Sequence, residues 1–417
     1  MSLKIIHTAD WHLGQTFFGY DREEEHDAFL SWLVEALVEH EADVLLVSGD
    51  VFDVANPSAS AQRRFYGFLR EANRRNPHLQ IVITAGNHDS AARLESPLPL
   101  LEELNTSIVG VVRRTAEGVI DFDALTIPLY NKEGRREAWC LAVPYLRQGD
   151  YPASEEAQST YAAGIGRMYR QLYDYVDTRR ESGEAIVAMG HLHATGAELT
   201  DDDPGERVIK GGLESVSSDA FNPGLAYTAL GHIHKAQQIG ERRDVCYSGS
   251  PLPMSFSEKN YRHRVMLVTI EKGQLASIEP LEIPLLVPLR RVPEQPLPPA
   301  EVLEKLNELP LVEDGRDVPQ SLWPYVEVRV LLTEPDPGFR QRVEEALTGK
   351  AVRLTAILTS YPSHENGGAD GEESPYGDLR QIDPLQILKD AFHSKYGGEL
   401  PEDIESLFNE VIRETAI

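Results

Sequence analysis

Residues 3–12, LKIIHTADWH, set the reading of the whole chain: an apolar run breaks off into Asp10-Trp11-His12, two of whose side chains can ligate a metal. Four further stretches repeat the pattern. Residues 43–48 lead into Gly49-Asp50-Val51-Phe52-Asp53, and residues 79–85 into Gly86-Asn87-His88-Asp89. Residues 185–189 lead into Gly190-His191, and residues 226–230 into Gly231-His232-Ile233-His234. Each run is short and rich in Val, Ile, Leu or Ala, which predicts a buried strand. Each motif then falls at the carboxyl end of its strand, the edge where α/β sheets gather ligands.

The motifs share a chemistry. One intervening residue in Asp10-Trp11-His12 and in His232-Ile233-His234 aims both side chains to one side of an extended segment. A glycine before Asp50 lets the chain turn without a Cβ penalty, so the carboxylate can project into a cleft. Asn87 offers a hard, neutral amide oxygen suited to Mn²⁺ or Mg²⁺. Singly, such triplets are common and usually structural. Together Asp10, His12, Asp50, Asn87, His191, His232 and His234 can hold two adjacent divalent cations, with His88 to spare. The set contains no thiolate, which disfavours structural zinc and favours a catalytic pair of harder metals acting on phosphoesters. His193 is expected to line the wall of the site rather than to ligate.

Composition bounds the rest. Hydrophobic content of 41% and charged content of 26% are those of an ordinary globular protein, and no apolar run is long enough to span a membrane. The N-terminus enters a strand at once, with no secretory pattern. Cys140 and Cys246 lie in apolar runs and read as buried thiols, so a cytoplasmic location is expected. Forty basic against 67 acidic residues give a net charge of −27, which repels polyanions at long range. The pairs Arg63-Arg64, Arg74-Arg75, Arg113-Arg114 and Arg179-Arg180, and the Lys259–Arg264 cluster, read as solvated faces. A nucleic-acid substrate would therefore depend on the cations and a partner for attraction.

An α/β fold follows: two facing mixed β-sheets flanked by helices over residues 1–285, then a small α/β domain over 286–360. Helices are expected at 22–39, 61–75, 96–104 and 155–180, and late strands at 247–256, 264–271 and 277–283. The Pro-rich stretch 287–299 reads as a hinge. Beyond it, helices at 300–308 and 338–347 and strands at 325–332 and 351–359 build the small domain. Residues 361–380 read as a polar, flexible linker. Residues 381–417 hold two amphipathic C-terminal helices, with Leu385, Ile387, Leu388, Phe392 and Leu407, Phe408, Val411, Ile412 on their apolar faces. Such faces fit a partner's groove, or dock back onto the small domain.

These motifs resemble those of the calcineurin-like metallophosphoesterases. Residues 7–14 (HTADWHLG), 49–53 (GDVFD), 226–235 (AYTALGHIHK) and 247–256 (YSGSPLPMSF) are similar in particular to the SbcD family, nuclease subunits of bacterial SbcC–SbcD complexes. The resemblance is strong over residues 3–285; the small domain and terminal helices match only in position and pattern. It implies one cation on Asp10, His12, Asp50 and His234, and the other on Asp50, Asn87, His191 and His232. Asp50 would bridge, and a water activated between the cations would attack phosphorus. It further implies that His88 touches the phosphate and stabilises or protonates the leaving oxygen, with Asp53 accepting a hydrogen bond from His88. Mn²⁺ is the expected metal and Mg²⁺ the alternative, with ATP entering only through a partner, an SbcC-type coiled-coil ATPase. DNA is the implied substrate. A homodimer is expected, built on helices 61–75 and 96–104 with Phe65, Phe68, Leu98 and Leu101. The competing readings are a small-molecule phosphodiesterase or phosphatase with the same site, and a non-catalytic scaffold.

Overall fold

The computed structural model describes residues 2–152, 160–198, 215–312 and 318–362, together with 385, 388, 389, 392, 401, 404, 405 and 408. The chain runs β1 (Ser2–Thr8), β2 (Thr16–Phe17), β3 (Tyr20–Asp21), α1 (Glu23–Glu39), β4 (Val44–Ser48), α2 (Ala59–Arg75) and β5 (Gln80–Thr84). It continues through α3 (Ala91–Glu95), α4 (Leu98–Leu101), β6 (Thr106–Val109), β7 (Thr126–Tyr130), β8 (Arg136–Ala142), α5 (Tyr161–Asp177) and β9 (Ala185–His191). Next come β10 (Tyr227–Gly231), β11 (Gln237–Ile239), β12 (Arg242–Tyr247), β13 (Arg264–Glu271) and β14 (Gln274–Glu282). The small domain holds β15 (Leu289–Leu297), α6 (Pro299–Asn307), β16 (Tyr325–Leu331), α7 (Phe339–Ala346) and β17 (Arg353–Ser360).

Among the described residues two six-stranded mixed sheets form, in the orders β14-β13-β1-β4-β5-β6 and β11-β12-β10-β9-β8-β7. Alternation along the strands decides what each face covers. Leu3, Ile5, Val44 and Leu46 of the first sheet pack with the second sheet, whose outer face carries α5 through Ile165, Met168, Tyr169 and Leu172. Ile6, Leu45 and Val47 turn the other way, onto Phe29, Leu33 and Leu37 of α1 and Phe65 and Leu69 of α2. The expected pair of facing sheets with helices outside is what forms. β1, β4 and β5 run parallel, as do β9 and β10, so within each sheet the motif-bearing ends share one edge. The small domain is a parallel β15-β16-β17 sheet with its own core of Val302, Leu306, Val326, Val328, Phe339 and Val343.

Several local expectations are corrected. Residues 247–256 form no strand beyond Tyr247: Pro251 and Pro253 lack the ladder donor, and the segment is a buried loop. Residues 287–299 are not a hinge but contain β15, an edge strand, where prolines are tolerated. The helix expected at 96–104 is reduced to α4 and a 3₁₀ turn at Glu102–Leu104, because Pro97 and Pro99 interrupt the backbone donors. Of the helix expected at 155–180, residues 155–159 lie outside the described residues; α5 starts at Tyr161, where Thr160 Oγ1 accepts the Ala163 N–H at 3.2 Å and caps it. Phe65, Phe68 and Leu101 are buried in the chain's own core, the two phenylalanines edge-on to Trp11, so they do not form a second apolar face. Most of the expected linker and terminal helices lie outside the described residues. Lys389 Nζ donates to Glu405 Oε1 at 2.7 Å, which brings those two segments together.

His26, buried in α1, offers a measurable consequence. Burial first, then the Arg22 and Arg64 guanidinium groups, pushes its pKa from an ordinary 6.5 down to about 3. The unfolded ring takes a proton near 6.5 and the folded ring does not, so stability is full above that pH. It falls as the pH drops toward about 3, by about 1.4 kcal/mol per unit. Urea titrations at pH 7, 6 and 5 should show His26→Gln losing that part of the slope. An unchanged slope would mean the ring is solvated.

Candidate metal centre

The motif loops are held in conformations that side chains seldom adopt. Asp10 (φ 55°), His12 (φ 46°), Asp50 (φ 49°) and His232 (φ 99°) all lie in the left-handed region. Each costs on the order of 1–3 kcal/mol and persists only where surroundings over-determine it. The surroundings are a continuation of the sheet: Asp10 N–H donates to the Gly49 carbonyl at 3.1 Å and His12 N–H to the Asp50 carbonyl at 3.0 Å. Across the sheets, His232 N–H donates to Asp10 Oδ1 at 2.9 Å. Trp11 is buried against Phe29, Phe65 and Phe68, with Nε1 donating to Thr8 Oγ1 at 3.0 Å, which anchors the segment between Asp10 and His12. Two glycines are required by close approach. A Cβ on Gly86 would stand 2.1 Å from Asp50 Oδ1, and one on Gly231 1.9 Å from the Ser48 carbonyl.

The ligand-type atoms converge. Asp50 Oδ2 lies 3.2 Å from His191 Nε2 and 3.8 Å from His12 Nε2, between the two imidazoles. Asn87 Oδ1 lies 2.9 Å from His191 Nε2 and 3.1 Å from His232 Nδ1. One atom each from Asp10, His12 and His234 fall within 4.8 Å of one another, and so do atoms of Asp10, Asp50 and His191. All seven residues expected from the sequence are thus gathered at one place. His193 belongs to none of the clusters found among the described residues.

The donor set fits divalent cations. Asp10 Oδ2 and His12 Nε2 are buried without a hydrogen-bond partner among the described residues, a cost that a bound cation would relieve. His191 Nδ1 lies 2.9 Å from the Ser48 carbonyl, which can only accept, so Nδ1 carries the hydrogen and Nε2 turns its lone pair to Asp50 and Asn87. Three acceptors then face one point, which a proton or a cation must occupy. Burial works against a charged His191, but the Asp50 and Asp10 carboxylates outweigh it and hold its pKa up at about 9. Burial also works against an ionised Asp50, and its imidazole neighbours, His191 first, overcome this and hold it far below the usual carboxylate range. His232 is pushed down to about 3, by burial and then by charge on His191. It is held neutral, as a ligand must be.

His88 and Asp53 differ from expectation in one contact. His88 Nδ1 donates to the Asp53 backbone carbonyl at 2.8 Å, not to its carboxylate. The Asp53 carboxylate instead lies 3.3 Å from His12 Nδ1. Backbone and side-chain acceptors of one residue are indistinguishable in a sequence. His88 N–H donates to Asp50 Oδ1 at 2.8 Å, and its ring stands edge-on to His12 at 4.9 Å. A third residue, Asp89, has a role that spacing does not signal. It is buried, and its carboxylate accepts the backbone N–H groups of Gly86, Val51 and Phe52 at 2.9, 3.1 and 3.0 Å. It ties the loop of Asp50 to the loop of Asn87. Burial, then the Asp50 charge, raises its pKa to about 6.

Most basic clusters prove to be ion-paired surface. Arg64 pairs with Glu23 and Asp27, Arg75 with Glu35, Arg113 with Glu95, Arg180 with Asp177 and Arg262 with Glu282. No helix among the described residues is long and apolar enough to cross a membrane.

Comparison with known proteins agrees with this geometry. Residues 3–236 match the family model for calcineurin-like phosphoesterases, and residues 286–396 that for the type 5 capsule protein repressor C-terminal domain. The SbcD component of the SbcCD nuclease of Rhodobacter capsulatus is 37% identical over 94% of this chain and 94% of its own. Its counterpart in Escherichia coli K12 is 36% identical over 90% of each chain, and that in Bacillus subtilis 29% identical over 89% of this chain and 95% of its own. A two-sheet phosphoesterase fold, a gathered carboxylate–imidazole–amide centre and similarity along nearly the whole length lead to one conclusion: the chain belongs to the SbcD family of nuclease subunits within the calcineurin-like phosphoesterases.

Proposed function

We propose that the chain hydrolyses DNA phosphodiester bonds, as an exonuclease on duplex ends and an endonuclease on hairpins and single strands. It would serve DNA repair, recombination and replication, in the cytoplasm, beside an SbcC-type coiled-coil ATPase that alone handles ATP. The observation that carries this is the convergence of Asp50 Oδ2, Asn87 Oδ1 and His191 Nε2 on one point, beside Asp10 Oδ2, which is buried with no hydrogen bond among the described residues. Asp10, His12, Asp50 and His234 would hold one cation, and Asp50, Asn87, His191 and His232 the other. Mn²⁺ is preferred over Mg²⁺ because imidazole nitrogens dominate the set. When bound, the cations supply Lewis acidity and an activated water.

The chain's own residues supply the rest. The carbonyl of Asp53 fixes the hydrogen of His88 on Nδ1, leaving Nε2 to meet the substrate. From there His88 can donate a proton to the leaving oxygen, which keeps it, and take up another from bulk water before the next turnover. The ion-paired surface adds little attraction for a polyanion, so the cations and the partner carry DNA affinity. The division into a nuclease domain (1–285), a capping domain (286–360), a linker (361–380) and a partner-binding segment (381–417) belongs to the same reading.

Cleavage of end-labelled hairpin DNA and of a chromogenic diester, with and without the ATPase, tests it. Turnover of the diester alone would favour a small-molecule phosphodiesterase. Deleting the chain after Tyr361 should leave Mn²⁺-dependent cutting of short single strands intact, since every proposed ligand precedes residue 235. The same deletion should abolish co-purification with the ATPase; undiminished complex formation would sink the assignment of the tail. A homodimer remains part of the proposal, resting on the family and on Leu100, 74% exposed beside half-buried Leu98. Light scattering at tens of micromolar should give twice the chain mass, and a monomer would count against it.

A further inference from the structure

The groups behind the proposed ligands differ in kind. Behind His191 stands a neutral carbonyl, that of Ser48. Behind His234 stands a charge: Glu258 Oε1 is 3.5 Å from His234 Nδ1. Glu258 has no exposed surface, and a carboxylate is retained in such a place only when paired or hydrogen-bonded. Its Oε2 accepts the Met254 N–H at 3.1 Å, while Oε1 has no hydrogen bond among the described residues and faces the imidazole. The same loop grips His234 from the backbone side, where Ser250 N–H donates to its carbonyl at 3.1 Å.

That loop is itself fastened. Arg22 Nη1 donates to the Pro253 carbonyl at 2.7 Å, and Arg22, fully buried, pairs with Glu25 at 2.9 Å. Tyr325, from the small domain, donates its hydroxyl to Glu25 Oε1 at 2.8 Å. Phe17, Phe256, Val287 and Tyr325 seal this network from water. Glu258 is therefore placed by a rigid, dry scaffold rather than by a mobile loop.

We propose that Glu258 is a positioning residue for the metal centre: its carboxylate holds the hydrogen of His234 on Nδ1 and turns Nε2 toward the cation shared with Asp10 and His12. A carboxylate behind a ligating imidazole fixes its tautomer and raises its basicity, and its loss typically costs about 10–100-fold in metal affinity. The effect is expected at one cation of the pair, because among the described residues the carboxylate recorded nearest His191 Nδ1, at 3.9 Å, is that of Asp10, itself a proposed ligand.

The inference rests on His234 being a ligand, and the experiment separates the two claims. Mn²⁺ is titrated into the full-length chain by calorimetry, with free Mn²⁺ counted by electron paramagnetic resonance. Glu258→Gln should weaken one of two Mn²⁺ affinities by about 10–100-fold and leave the other unchanged. His234→Ala should weaken the same one further. If His234→Ala changes neither affinity, the ligand assignment fails. If it weakens one while Glu258→Gln changes neither, the ligand stands and the positioning role is overturned. Equal weakening of both sites by Glu258→Gln would make Glu258 a general structural residue and also overturn it. Should that variant not fold, nitrogen-15 histidine spectra of the unaltered Mg²⁺-loaded chain decide: hydrogen on His234 Nδ1 is expected, and hydrogen on Nε2 refutes the proposal.

Discussion

Asp50→Ala is expected to leave the chain with neither cation and with DNA cleavage at background. Its carboxylate stands between His12 and His191, at 3.8 and 3.2 Å, so one substitution removes an anionic ligand from both proposed positions. The same change removes the acceptor of the His88 N–H, so the loop carrying Asn87 and His88 loses its tether as well. Metal ions supply several kcal/mol to phosphoryl transfer, and their loss should lower the rate by about 10³-fold or more. Metal content after dialysis, measured by atomic emission beside a nuclease assay, checks both halves. Retention of one full equivalent of Mn²⁺ would show that Asp50 does not bridge.

His88→Ala should be nearly as damaging to cleavage and harmless to metal content. The ring belongs with His12 and Asp53 in space, but its Nδ1 is committed to a carbonyl and its Nε2 is left for substrate. Removal of a general acid lowers rates by about 10²–10⁴-fold. Both cations should still bind, because none of the seven proposed ligands is altered. A diester with a good leaving group, which has little need of an acid, should lose much less activity than DNA does. If the two substrates suffer alike, His88 acts on binding or on the nucleophile rather than on the leaving oxygen.

What the sequence made legible was local. Each motif strand announced itself as an apolar run ended by glycine or a ligand-type residue, because burial and strand termination are written within a few neighbouring residues. The gathering of those ends was also readable, since parallel strands present their carboxyl ends at one edge. Tertiary clamps were not readable. Asp89 sits inside a ligand motif, yet its work depends on residues 51 and 52 lying beside residue 86, a fact of folding and not of spacing. Glu258 follows a serine-rich stretch that carries no ligand pattern. The stretch 247–256 looked like a strand because a buried loop needs the same Tyr, Leu, Met and Phe that a buried strand does. Residues 287–299 misled in the opposite direction: an edge strand can keep prolines that a central one cannot.

The strand order of the first sheet has a consequence for how the chain is made. β13, residues 264–271, lies against β1, so the sheet that presents Asp10, His12, Asp50 and Asn87 lacks an inner strand until those late residues have left the ribosome. The remaining ligand-type residues, His191, His232 and His234, belong to the second sheet and also emerge late. At ordinary elongation rates the interval between Asn87 and His234 is on the order of ten seconds. For that time the nascent chain carries half a metal centre on an unfinished sheet, with an open edge for misplaced strands. A centre whose proposed ligands span residues 10 to 234, on a sheet completed only by β13, is not expected to act before the catalytic region is essentially complete, and a message broken upstream of β13 should yield no partial nuclease.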